Sequence, residues 1–210
     1  LLLLLAAIFR LHGLATLPPG LTQAEIDTLR IAETVRSGSV ETFYVVRGEG
    51  REGLYPSLVV ASTALTGAGL IGYRVVSVFI GMATLAVVYT LTRRLFGPLA
   101  ALAALALLAV GFYPAQLDRS ILPETLLPLL SASALLAVAQ APSVHPPHDG
   151  RAPNSITVDR LGVVLGLGIY IHPLHIGIIL TAMLFIVYVV IPRQSVSRGA
   201  LGYTSFGILV

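Results

Sequence analysis

G-Y-R-V-V-S-V-F-I-G-M-A-T-L-A-V-V-Y-T-L-T-R-R, residues 72–94, runs without charge from Arg74 to a closing pair of arginines. About twenty apolar residues suffice to cross a bilayer as one helix. The stretch 72–92 has that length, and Arg93-Arg94 is the charge that stops it. The pattern recurs along the chain: 1–9 reads as the rest of a first membrane helix, 95–115 and 121–141 as further spans, and a last one starts near 200. The stretch 161–191 is longer than one span needs and is interrupted by His172-Pro173-Leu174-His175, which predicts helices over 161–171 and 175–191. The fold class this implies is all-α, a polytopic transmembrane helical bundle.

Composition agrees. Of 210 residues 56% are hydrophobic and 11% charged, against roughly a quarter charged in a soluble domain. All thirteen basic residues are arginine, spread over loops with a net charge of +3, so there is no nucleic-acid footprint. The partner to expect is the lipid bilayer. With no cysteine, disulfides and thiolate metal sites are excluded. The chain opens on Leu1 and stops within another apolar segment, and we read it as a fragment of one membrane domain.

Arginine in short loops orients membrane helices. If Arg93, Arg94, Arg151, Arg160, Arg193 and Arg198 are cytoplasmic, the long loop 10–71, the turn 116–124 and the turn 172–175 all open on the outer side. Eight of the ten acids fall there: Glu25, Asp27, Glu33, Glu41, Glu49, Glu52, Asp118 and Glu124. Charge at a lipid boundary is costly unless paired or wet, so this gathering reads either as a polar cavity or as the ordinary polarity of a long loop.

The outer loop has local order. Thr22-Gln23-Ala24-Glu25 is a capping box, in which a hydroxyl and a carboxylate satisfy the free amides of a helix start. From there to Arg36, Leu29, Ile31, Ala32 and Val35 share one side while Asp27, Arg30, Glu33 and Thr34 share the other, and Ser37-Gly38 ends the helix. This predicts a juxtamembrane amphipathic helix lying on the membrane. The stretch 54–65 is a second apolar segment, too short to span.

Arg51-Glu52 and Asp118-Arg119 each set charge before the start of an apolar helix, with Glu124 directly after Pro123. An arginine there can take a phosphate through its planar fork, and a carboxylate can accept a proton. Equally, both are ordinary helix-end charges. His172 and His175 read either as interfacial histidines or as metal ligands that carboxylates such as Glu52 complete.

P-P-G-L-T-Q-A-E (18–25), G-R-E-G-L-Y (50–55), L-T-G-A-G-L-I-G-Y-R-V-V-S (65–77), T-R-R-L-F-G (92–97), L-D-R-S-I-L-P-E (117–124) and G-L-G-I-Y-I-H-P (166–173) occur in an order that resembles the amino-terminal half of the GT-C glycosyltransferases. The nearest branch is the protein O-mannosyltransferase and aminoarabinose-transferase type, among its bacterial members. The resemblance implies transfer of a sugar from a polyprenyl-phosphate carrier to a protein, lipid or glycan acceptor, outside a bacterial inner membrane. It puts Glu25 on the second member of an acidic pair, Glu52 on the acid after the juxtamembrane helices, and Asp118 or Glu124 on the acid of the next outer turn. The first member of the pair, which takes the base role in that family, is Ala24 here.

An alanine cannot take a proton, so three outcomes follow. Glu25 or Asp27 has the role, or Glu52 or Glu124 has it, or the chain is an inactive relative that binds a lipid carrier or assembles with other subunits. The expected chemistry is direct displacement at the anomeric carbon with inversion. Arg51, Arg119 and Arg74, or a divalent metal ion held by Glu52, His172 and His175, would offset charge on the departing phosphate. A transporter would instead call for intramembrane acids and repeats, and neither is visible.

Overall fold

In the computed structural model the described residues are 1–140 together with 163, 164, 166–168, 170, 171, 176, 177 and 180. The predicted helix over 175–191, the one near 200, and His172 and His175 lie outside them.

The organising element is α4, Leu70–Phe96, the one helix among the described residues long and apolar enough to cross a membrane. It extends beyond the 72–92 read from sequence, running through Arg93 and Arg94 until Gly97, at φ +88°, turns the chain. Pro98 then opens α5, Pro98–Val110, since proline's missing N–H is not needed in a first turn. From Arg74 to Arg93 the helix rises about 28 Å, close to the ~30 Å hydrocarbon thickness of a bilayer.

The apolar stretch 95–115 is not one helix. α5 ends at Val110 and a short α6, Phe112–Leu117, follows Gly111. Pro114 is the cause: its ring would strike the carbonyl four residues back, that of Val110. The next stretch also starts later than its apolarity predicts. Pro123 holds Leu122 extended (φ −126°, ψ +133°), a 3₁₀ turn follows over Pro123–Thr125, and α7 runs Leu126–Gln140. Ahead of these lie α1, Leu2–Leu11, α2, Gln23–Arg36, and α3, Leu54–Thr66. α1 and α5 pack on α4 through Ala6, Leu85, Leu105 and Ala109. α2, α3 and α7 meet α4 in a second core of Ala32, Tyr55, Val59, Ile80, Ile121 and Leu126.

Two expectations are corrected. The described chain is mostly but not wholly helical: Phe43–Val46 and Glu49–Glu52 form an antiparallel hairpin, β1 and β2, in the register Phe43↔Glu52 to Val46↔Glu49. Its two-residue turn, Arg47-Gly48, has φ +56° and +81°, the left-handed pair that a tight hairpin needs. Holding an arginine there costs about 1 kcal/mol. The second correction concerns α2. Its apolar stripe is covered by α3, and Asp27, read as part of the outward face, is buried because the hairpin closes over it.

Between Arg74 and Arg93, α4 carries no charged side chain. At one end of α4, the Arg94 Nε donates to the Ala139 carbonyl of α7 (3.0 Å). Toward the other end, Arg10 is fully buried. Its Nε donates to Asp118 (2.6 Å), and its other nitrogens donate to the Leu108 and Ala109 carbonyls that the end of α5 leaves free (3.2 and 3.1 Å). Asp118 fits because α4 carries Gly81 at that level: a Cβ there would stand 2.1–2.4 Å from the carboxylate atoms.

Gly81→Ala is therefore expected to lower the thermal stability of the detergent-solubilised protein by on the order of 3 kcal/mol, since breaking a buried ion pair costs about that much. In an Asp118→Ala background the same substitution should cost under about 1 kcal/mol. Equal costs in both backgrounds, read from melting curves, would contradict the notch.

Candidate active site

A half-open cleft of about 540 Å³ lies between α2, the hairpin, the start of α3 and the 3₁₀ turn. Arg51 and Glu52 reach it from β2, Glu124 from the turn, and Tyr170 and Ile171 from the far side. Each side chain is aimed by local structure. Glu52 is buried and caps α3, its carboxylate accepting from the Tyr55 N–H (3.0 and 3.2 Å). Gly53 allows the turn between strand and helix, because a Cβ there would stand 2.3 Å from the Glu41 carbonyl oxygen.

Glu25 does two things. With Thr22 it forms the capping box, its Oε2 accepting from the Thr22 N–H (2.8 Å). Its Oε1 accepts from the Ile121 N–H (3.0 Å) and so ties α2 to the turn that carries Glu124. Behind the cleft the Tyr55 hydroxyl bonds to Ser77 Oγ (2.6 Å), and Ser77 donates to the Ser120 carbonyl (2.6 Å). Burial first, then the charges of Glu25, Glu124 and Glu52, hold that phenol protonated. Three of the four predicted carboxylates thus stand around Tyr55.

They differ in what remains free. Both oxygens of Glu25 are committed. Asp27, also buried, faces Arg30 (3.5 Å), Arg47 (3.6 Å) and Arg51 (4.0 Å). Glu124 is the exception: its Oε2 is buried and has no hydrogen-bond partner among the described residues. Glu52 has its pKa raised above the usual glutamate value, chiefly by burial. The Tyr55 and Leu54 N–H groups oppose that shift and the charge of Glu124 adds to it.

The arginines divide in the same way. Arg51 stands in the cleft and pairs with Glu49 (3.3 Å). Arg74 and Arg119 do not line it. Fully buried, Arg74 donates to the Leu14, Pro18 and Gly20 carbonyls (2.9–3.1 Å). Arg119 donates to Phe9 and His12, and burial and the neighbouring charge of Arg74 lower its pKa. Both clamp the chain between α1 and α2. Among the described residues no three His, Asp or Glu side chains gather as a cation would require, and His172 and His175 lie outside them.

Tyr170 was not singled out from sequence. Its hydroxyl donates to the Thr42 carbonyl and accepts from the Gly53 N–H (3.0 Å), and its ring meets Phe43 edge-on at 5.0 Å. It joins the base of both strands to the far wall. Nothing local marks it, since its partners lie more than a hundred residues away.

The family model for dolichyl-phosphate-mannose-protein mannosyltransferase matches residues 54–210. The chain belongs to that family. This is a GT-C family of membrane mannosyltransferase-like glycosyltransferases that in general use polyprenyl-phosphate-linked sugar donors. The matched region contains Arg74, Asp118, Arg119, Glu124 and Tyr170, while Glu25, Asp27, Arg51 and Glu52 precede it. No curated protein and no solved structure matches the chain.

The shift on Glu52 has a consequence for this family member. A carboxyl whose folded pKa is raised stabilises the fold fully below the ordinary value of 4.5, and that contribution is lost as pH rises through the folded value. Melting temperature should therefore fall on going from pH 4.5 upward, and fall less in Glu52→Gln, whose amide oxygen still accepts from Tyr55. Parallel pH profiles would count against the buried carboxyl.

Proposed function

We propose that the cleft is the transfer site of a polytopic membrane glycosyltransferase, where an acceptor hydroxyl displaces polyprenyl phosphate from a sugar on the extracytoplasmic face. What carries this reading is the meeting in one cleft of a carboxylate with a free buried oxygen, Glu124, and a guanidinium, Arg51. Glu124 accepts the proton of the acceptor hydroxyl as its oxygen attacks the anomeric carbon. The bond to the phosphate oxygen breaks on the opposite face of the sugar, so the anomeric configuration inverts. The phosphate leaves with the electron pair, and Arg51 offsets its charge through a forked contact. Glu52 and Glu25 position the walls, Glu52 by fixing the start of α3 and Glu25 by holding the turn that bears Glu124.

Ala24 supports a second reading, that of a relative that binds the carrier without transferring. The two readings separate in an assay of sugar transfer from polyprenyl-phosphate mannose in membranes containing the chain. On the first, Glu124→Gln lowers kcat by about 10²- to 10⁴-fold with donor binding retained, and Ala24→Asp is not needed for turnover. Absence of transfer that Ala24→Asp restores would establish the second and sink the first.

A further inference from the structure

Beside the cleft, on the other side of Ile31, a second depression of about 470 Å³ lies between α2 and β1, lined by Arg30, Thr34, Glu41, Tyr44, Val45 and Arg47 among others. Arg30 and Arg47 are more than half exposed, at 59% and 53%, and each makes one long contact to the same oxygen of buried Asp27. Among the described residues neither has another carboxylate or carbonyl partner. The guanidiniums are therefore held at one end, with most of their N–H donors free toward the depression. The frame is stiff: the Tyr44 hydroxyl donates to the Ser39 carbonyl (2.7 Å) and accepts from the Glu41 N–H (2.8 Å), and Arg47 occupies a left-handed turn position.

Next to these donors the hairpin and the chain just before it expose oil: Val45 of β1 is 80% exposed and Val40, three residues ahead of the strand, 71%. Arginine forks beside projecting apolar side chains, at the end of α4 remote from Arg93-Arg94, match a layer that is apolar below and phosphate-rich above. We propose that this depression docks the phosphate of an anionic phospholipid headgroup, on Arg30 and Arg47, with Val40 and Val45 entering the acyl region. Glu41 shares the rim, so a diffuse positive field is not the attraction. Recognition comes from direct, forked contact with one phosphate. The site holds no reacting group and its test reads lipid instead of transfer, so it stands or falls separately from the transferase reading.

The chain has no cysteine, so Val45→Cys in the full chain carries a single fluorescent label. In vesicles of phosphatidylcholine with phosphatidylglycerol, a nitroxide on the lipid should quench that label strongly, and aqueous iodide weakly. Without a label, native mass spectrometry of the full chain purified with phosphatidylglycerol should show retained lipid. That retention should fall roughly five-fold for each of Arg30→Gln and Arg47→Asn. Asparagine keeps the left-handed turn, so loss in that variant is not loss of the hairpin. Inorganic phosphate at millimolar concentration should not displace the lipid. Free access of iodide to the label, unchanged lipid retention in both variants, or displacement by inorganic phosphate alone, which would mark a site for a soluble anion, would each overturn the proposal.

Discussion

The ion pair between Arg10 and Asp118 is the constraint from which the rest of the site follows. It joins α1 to the turn after α6 through a 2.6 Å contact inside the bundle, where an unpaired charge would cost several kcal/mol. Its position is fixed from three sides: by carbonyls at the end of α5, by the notch at Gly81, and by the turn of α1 that bears Arg10. Once Asp118 is placed, the next six residues have little freedom. Ser120 presents its carbonyl to Ser77, Ile121 its N–H to Glu25, and Glu124 its carboxylate to the cleft.

The same economy explains how Arg74 and Arg119 are held without an acid paired to them among the described residues. Arg74 and Arg119 spend their donors on backbone carbonyls between residues 9 and 20. Phe9 lies in the last turn of α1 and the residues from His12 on are irregular, so these carbonyls lack helical partners. Guanidinium groups with five fixed donors suit several such acceptors at once, whereas a lysine would satisfy fewer. One need cancels the other: the loop obtains hydrogen bonds, and buried Arg74 and half-buried Arg119 obtain oxygen ligands.

What the sequence disclosed was whatever depends on near neighbours. The capping box at Thr22 and Glu25 is such a case, since both partners lie within one turn. So is the apolar length of α4. The hairpin is not legible locally, because Glu49-Gly50-Arg51-Glu52 has no alternating apolar pattern and Arg47-Gly48 lacks the asparagine that usually signals a tight turn. Phe43-Tyr44-Val45-Val46 was the legible half. Asp27 was placed on the wrong face because its burial comes from that hairpin and not from α2 itself. The break at Gly111 was readable, with Pro114 three residues on, but the apolarity of 95–115 outweighed it. Arg10 and Tyr170 could not have been given their partners by any local rule, because each reaches more than a hundred residues along the chain.

Under the proposed transfer reaction, Ala24 puts a specific demand on the remaining acids. A general base needs an oxygen that can accept a proton without giving up a bond the fold depends on. Glu25 cannot meet that demand cheaply: its oxygens hold the start of α2 and the Ile121 amide, so a substrate hydroxyl would have to displace one of them. Asp27 would have to shed arginines, and Glu52 would have to release the first amide of α3. Glu124 alone among them has a buried oxygen that meets no donor among the described residues, and it lines the same cleft as Arg51. Leaving a carboxylate oxygen unsatisfied at a buried position destabilises a fold by about 1–3 kcal/mol. Among the described residues the other buried side-chain atoms without a partner are the Nε donors of Arg74 and Arg119, so Glu124 holds the free acceptor, which is the state in which a carboxylate can take a proton from a hydroxyl brought into the cleft.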